Sequence, residues 1–433
     1  MGLKCALAGP SSAFIVTRAS SSRIGYISRR ISASADESWN MTAFDFDEII
    51  DRTGHHSAKW GAVADGCLPM WVADMDFRSP PSAIDAMIER ARHGVFGYTL
   101  DPLKLKEVVV ERMERLYDWR ISPDDVLFSP GMVLALCATC SGFGAPGDTV
   151  LIQTPVYGSF FKAVRANRKF VGNIDMQYVA DGAHHFRYEN DYDEFEMVAR
   201  DPQTSIHLQC NPQNPAGFMY SREELERIGE ICLKHNLLIV ADEIHSDLIL
   251  EGDHIPIATL SDEIAQSTLT MIAPSKTYNL AGLACSVLIA QNKEIRETMA
   301  AALQSISAHV NIMGYEAAYG AYSGGDEWLR QLLVYLKANR DFAIQFIREH
   351  MPLIKTTVPT STYLLWMDMR DLPIEGDLIE FCQNTAGIAP SPGTFFGDAG
   401  EGFVRLNFGC PRSTLEAGLE RLRAAVEQLV QTA

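Results

Sequence analysis

Positive charge is scarce in this chain: 37 lysines and arginines stand against 55 acids, for a net charge of −18. A protein built mainly to grip a phosphate backbone carries the opposite balance, so nucleic acid is excluded as its principal partner. No apolar run approaches the ~18 continuous residues of a membrane helix, so no membrane role is expected. Cysteine is sparse and odd in number, nine in 433 residues, which argues against a disulfide framework and favours a reducing compartment. Cys137 and Cys140 form a close pair in "CATC". With no second pair at finger spacing they read as helix-packing residues, and no metal is expected.

Acid is missing altogether from the first 35 residues, which hold Lys4, Arg18, Arg23, Arg29, Arg30 and eight serines. That is the composition of an organellar transit peptide, which would send the protein to a mitochondrion or plastid. A disordered basic extension without an address has the same composition and would leave the protein cytoplasmic. Residues 1–40 are therefore set aside from the fold.

Hydrophobic residues, at 47%, supply ample core for two or three domains. Beyond residue 120 short apolar runs alternate with longer helical patterns, the signature of an α/β sheet. The runs are "DVLFS" (125–129), "TVLIQT" (149–154), "SIHLQC" (205–210), "LLIVAD" (237–242), "LTMIA" (269–273) and "CSVLIA" (285–290). Ser221 with Glu224, and Ser413 with Glu416, have capping-box spacing ahead of helical stretches. The pattern predicts a large α/β domain with a mostly parallel sheet over 91–300, then a small C-terminal α+β domain over 301–433. "GFGAPG" (142–147) matches a dinucleotide-binding string but follows a helical pattern and precedes a strand, the reverse of what that motif requires.

Chemistry gathers just after the strands. Gly131 opens a helix after the first run, Tyr157 follows the second, and Asn214 follows the third. Asp242 ends the fourth, with His245 three residues on, and Ser275 and Lys276 follow the fifth. In a mostly parallel sheet these C-terminal strand ends share one edge, where ligands bind. Singly, each has a plain structural role as cap, turn or core residue. Together they meet the needs of pyridoxal 5'-phosphate. Lys276 supplies an amine for its aldehyde, Asp242 a carboxylate for its pyridine nitrogen, and Tyr157 a flat face for its ring. Asn214, with His245, offers donors to its phenolate oxygen, and the amides of Gly131, Met132 and Val133 suit its phosphate.

The ordered set "NPQNPAG", "ADEIH" and "APSKTYNLAGL" resembles the fold-type I pyridoxal-phosphate enzymes, the class I/II aminotransferase superfamily. "LPMWVADMDF" (68–77), "GVFGYT" (94–99), His245 and "FVRLNFGCPR" (403–412) resemble its MalY/PatB-type cystathionine β-lyases, or cysteine-S-conjugate β-lyases. The likeness covers about residues 42 to 430. It implies that residues 41–90 pack with the small domain and the active site, that Arg405 grips the substrate α-carboxylate, and that the enzyme is a homodimer with a shared active site. Tyr98 would reach the neighbouring subunit's cofactor. Where related aminotransferases often have Ser or Thr and Arg on the phosphate, this chain has Ala273 and Ala284, so Ser275 and the helix amides carry more of that load. The implied activity is cleavage of a small amino-acid thioether to thiol, pyruvate and ammonia. An aminotransferase is the alternative, and a regulatory protein on the same fold is a more distant one.

Overall fold

The computed structural model describes residues 44–432; the basic segment at 1–40 lies outside the described residues. Among the described residues fourteen strands form two seven-stranded sheets. In chain order they are β1 (Leu68–Met70), β2 (Val126–Ser129), β3 (Thr149–Thr154), β4 (Phe170–Asp175), β5 (Gln177–Asp181), β6 (His185–Glu189) and β7 (Thr204–Cys210). Then come β8 (Leu238–Asp242), β9 (Thr268–Ile272), β10 (Ser286–Ile289), β11 (Lys355–Thr356), β12 (Leu364–Asp368), β13 (Ile388–Pro392) and β14 (Phe403–Asn407).

The first sheet runs β2-β10-β9-β8-β7-β3-β4, parallel except for β10. Its strands are apolar on both faces because helices cover both. Val150, Ile152, Ile206, Leu208 and Val240 face a core shared with Met132–Gly142, Ser159–Ala166 and Lys293–Ser305. Leu151, Ile239 and Ala241, one residue out of step, face Tyr192–Ala199, Arg222–Lys234 and Asp262–Gln266. Each of the six apolar runs read from the sequence forms a strand of this sheet. Ser221 and Glu224 make the expected capping box ahead of Arg222. Ser413 does not cap: the last helix, Arg412–Thr432, starts one residue before it. There the Pro411 carbonyl accepts the Thr414 and Leu415 amides and opens the helix instead.

The second sheet runs β1-β13-β14-β12-β11-β6-β5 and is mostly antiparallel. It draws on three separate stretches of chain, and β5 and β6 come from the middle of the stretch that builds the first sheet. Along β14, Val404 and Leu406 face the largest core, so Phe403, Arg405 and Asn407 share the opposite face.

Candidate active site

A cavity of about 980 Å³ opens where the C-terminal ends of β7, β8 and β9 meet β13 and β14 of the second sheet. Gly131, Met132, Val133, Tyr157, Asn214, Asp242, His245, Ser275, Lys276 and Arg405 all line it. Tyr98, the remaining residue singled out from the sequence, lies elsewhere: it is fully exposed and takes no part in lining this cavity.

Lys276 sits in a single helical turn, Pro274–Thr277, directly after β9. Burial, and then the Arg405 charge, lower its amine from 10.5 to about 8, against the pull of Asp74 and Asp242. The turn is tied down from behind. Thr277 Oγ1 donates to Asp247 Oδ2 at 2.9 Å, and Arg112, itself buried, donates to Asp247 Oδ1 at 2.6 Å. Asp242, at the end of β8, is 3% exposed and accepts the Ile244 amide at 3.2 Å. Burial raises its carboxyl to about 7, against that hydrogen bond and Lys276. A cationic partner at this carboxylate would restore its charge.

Arg405 is buried, with no acidic partner among the ion pairs of the described residues. Nη1 donates to Asn214 Oδ1 at 2.8 Å, and Nη2 donates to the Trp71 carbonyl at 2.6 Å and Ser391 Oγ at 3.1 Å. Its guanidinium lies over the Phe396 ring at 4.8 Å, while buried Nε has no partner. Burial brings it down to about 10, the mark of a cation that lacks its counter-ion. By accepting from Arg405, Asn214 Oδ1 leaves the amide nitrogen free to donate into the cavity. His245 is pressed well below its usual range by burial, then by Lys276 and Arg405, so its imidazole stays neutral between two cations. Its Nδ1 has no hydrogen-bond partner.

At the other end of the cavity, Gly131 caps the helix Met132–Gly142 at φ 106, a backbone that favours glycine. The first intrahelical bond there runs from the Ala135 amide to Gly131, so the amides of Met132, Val133 and Leu134 have no acceptor within the helix. Phe395 packs edge-on against Tyr157, with ring centroids 5.7 Å apart. Phe395 and Phe396 lie on a tight turn whose ends nearly touch. A Cβ on Gly393 would stand 2.0 Å from the Gly400 carbonyl oxygen, and one on Gly400 2.1 Å from that of Gly393.

Residues 71–75 form a strap whose first three residues line the cavity, with each backbone carbonyl of the strap held by a side chain. Ser391 and Arg405 hold Trp71, Asn407 holds Val72, and Lys276 and Tyr363 hold Ala73. Lys59 and Asn407 hold Asp74, and Arg52 and Asn279 hold Met75. Behind the strap, buried Lys59 pairs with Asp76 at 2.6 Å, and Arg52 pairs with the same carboxylate at 2.6 Å. The contacts from Lys276, Asn279, Tyr363, Ser391, Arg405 and Asn407 join residues 203 to 335 positions apart, while those from Arg52 and Lys59 span 15 to 24. Local spacing carries no signal for Ser391, Tyr363, Asp247 or Arg112; only the resemblance of "LPMWVADMDF" marked the strap.

The donor set suits pyridoxal phosphate: an unneutralised carboxylate, a free amide donor, an aromatic face, an amide-lined helix start and one buried amine. Arg405 is left over for an α-carboxylate. The model for aminotransferase class I and II matches residues 67–422. The chain belongs to that family. It is 38% identical over 390 residues to the cystathionine β-lyase PatB of Bacillus subtilis, spanning 88% of this chain and all of that protein. It is 31% identical over 393 residues to the protein MalY of Escherichia coli, spanning 88% of this chain and 99% of that protein. Its fold matches cystalysin from Treponema denticola, solved with pyridoxal 5'-phosphate, with a TM-score of 0.85 and 32% identity over 89% of this chain and all of that one. Within the family the chain therefore stands in the MalY/PatB-like cystathionine β-lyase branch.

Proposed function

We propose that the protein is a pyridoxal-phosphate carbon–sulfur β-lyase that cleaves cystathionine or related cysteine S-conjugates to a thiol, pyruvate and ammonia. The observation that carries this is Arg405, a buried guanidinium without an acid, set in one cavity with a buried lysine amine and a buried carboxylate. A compact amino acid supplies the missing anion. The PatB likeness points to sulfur chemistry at the next carbon.

Pyridoxal phosphate held by these residues would supply an aldehyde for an amine and an electron-withdrawing ring beside Cα. Asp242 would hold a proton on the ring nitrogen, the cationic partner that keeps its carboxylate charged, and Asn214 would donate to the ring oxygen. Arg405 holds the α-carboxylate by its planar fork, which fixes the Cα–H bond relative to Lys276. With its value near 8, the Lys276 amine is neutral often enough at neutral pH to take the Cα proton. The Cα–H electron pair becomes a Cα=Cβ bond as the sulfur substituent leaves Cβ, and the departing thiolate takes back a proton from Lys276. Water then hydrolyses the remaining enamine to pyruvate and ammonia.

The reading extends to a homodimer. Val95, Phe96, Tyr98, Leu100 and Leu103 are all exposed on one short stretch, a patch that a second copy would cover. Tyr98 would then enter the partner's cavity. The activity is tested by supplying cystathionine without any keto acid. Equal amounts of thiol, pyruvate and ammonia are expected; turnover wholly dependent on an added keto acid would select an aminotransferase.

A further inference from the structure

The Ala73 carbonyl has two donors. Lys276 Nζ reaches it at 2.6 Å and Tyr363 Oη at 2.8 Å, so the amine and the phenol are close neighbours on one oxygen. Tyr363 has no exposed surface and stands at the head of β12. Its position is fixed by several constraints. The Phe408 amide donates to its carbonyl at 2.9 Å, and its ring meets that of His245 edge-on at 6.1 Å. The preceding Thr362 is held at φ 69, a costly backbone for a β-branched residue and one that surrounding structure must impose. The carbonyl is fixed too, since its strap neighbours are clamped on both sides by Asn407. Packing alone would be served by phenylalanine. A buried phenol needs an acceptor, and here that acceptor is the one the lysine uses.

We propose that Tyr363 is a positioning residue for Lys276: by sharing the Ala73 carbonyl, it fixes where the amine rests when not bonded to the cofactor and weakens that carbonyl as an anchor for the ammonium form. The proposal rests on the cofactor reading above, but not on the lyase outcome. A carbonyl already accepting from a phenol offers less to an ammonium, so the neutral amine gains. The groups facing the amine are Asp242 at the end of β8, His245 just beyond it, Arg405 on β14, Asp74 on the strap and Tyr363 itself. Tyr363→Phe changes only the last of these.

The test uses full-length Tyr363→Phe loaded with cofactor and follows exchange of the Cα proton of L-alanine for deuterium by NMR across pH. Alanine has nothing to expel from Cβ, so exchange reports proton removal alone. The visible absorbance of bound cofactor should be unchanged, and half-saturation by alanine should move little. The exchange rate at saturation should fall about tenfold, as for loss of a well-placed base. The acid limb of its pH profile should move upward by about half a unit or more, because the ammonium is better held. Asn407→Ala frees the Val72 and Asp74 carbonyls but leaves Tyr363 in place, and should slow exchange in the same way. Unchanged exchange in either variant overturns the proposal, as does loss of the cofactor absorbance in a folded Tyr363→Phe protein. Wild-type protein that exchanges alanine but releases no pyruvate from thioethers would defeat the lyase reading and leave this proposal standing. Wild type without a cofactor absorbance would defeat both.

Discussion

The two sheets meet at one cavity but are assembled in opposite ways. The first is wound from a nearly continuous stretch of chain, 126–289, with helices on both faces. The second gathers strands from residues 68–70, 177–189 and 355–407. The first delivers Asn214, Asp242 and Lys276 at its strand ends, each beside the strand that places it. The second delivers Arg405, whose setting depends on Trp71 and Ser391 from distant chain. One half of the site is thus local in construction and the other is a product of tertiary assembly. Substitutions in the first should act on chemistry, and those around the second on binding and on stability.

The largest effect falls on the first sheet. Lys276→Ala should abolish the visible absorbance of the lysine-linked cofactor and all turnover, because among the described residues no other amine lines the cavity. A mutant that retains a borohydride-reducible link to the cofactor would show the lysine to be misassigned.

The strap beneath the second sheet should instead answer in stability. Asp76→Asn removes the nearer acid from buried Lys59, leaving only Asp74 at 3.9 Å, and should cost about 3 kcal/mol in urea unfolding. Its acid dependence has a defined sign. Lys59, backed by hydrogen bonds from Trp60 and Arg52, holds the Asp76 carboxyl below 3.8 despite its burial. Its contribution is therefore complete above that value and is lost as pH falls through the lower folded value. The variant should lose that part of the acid-side slope; a slope matching wild type would remove Asp76 from the account.

Arg405→Lys keeps the charge but loses the planar fork, putting about 2 kcal/mol of charge-assisted hydrogen bonding to an α-carboxylate at risk. Catalytic efficiency toward α-amino acids should fall while cofactor absorbance stays. If efficiency holds and only the melting temperature drops, the arginine merely bridges elements.

The smallest effect tests the shared dimer. Lys276→Ala and Tyr98→Phe chains, each impaired as homodimers, are allowed to exchange subunits. If Tyr98 acts in the partner's site, each mixed dimer has one intact site, and roughly a quarter of all sites should recover. No recovery would place Tyr98 outside the partner's chemistry.

Legibility follows the same division. The strands of the first sheet could be read because burial on both faces leaves unbroken apolar runs such as "TVLIQT", and their ends carry their functional residues with them. β11 is two residues long, and β5 shows the exposed–polar pattern of an edge, so neither has a period to detect. Arg405 is legible only through resemblance, since an arginine in an apolar strand has no local meaning until Asn214 and Trp71 are beside it. Ser413 misled because capping-box spacing was satisfied while Pro411 had already opened the helix.

The paired glycines 393 and 400 restrict how this cavity can drift. Neither can gain a side chain without striking the other's backbone, so the ends of the turn are closed to single-step change. Between them Gly397, at φ 124 with Thr154 close by, is restricted as well, whereas Phe395 and Phe396 already carry side chains and have no such backbone bar. A lineage of this enzyme exploring new substrates would therefore rewrite the aromatic wall residue by residue on an unchanging frame, and the spacing of the two glycines should outlast the identity of what they enclose.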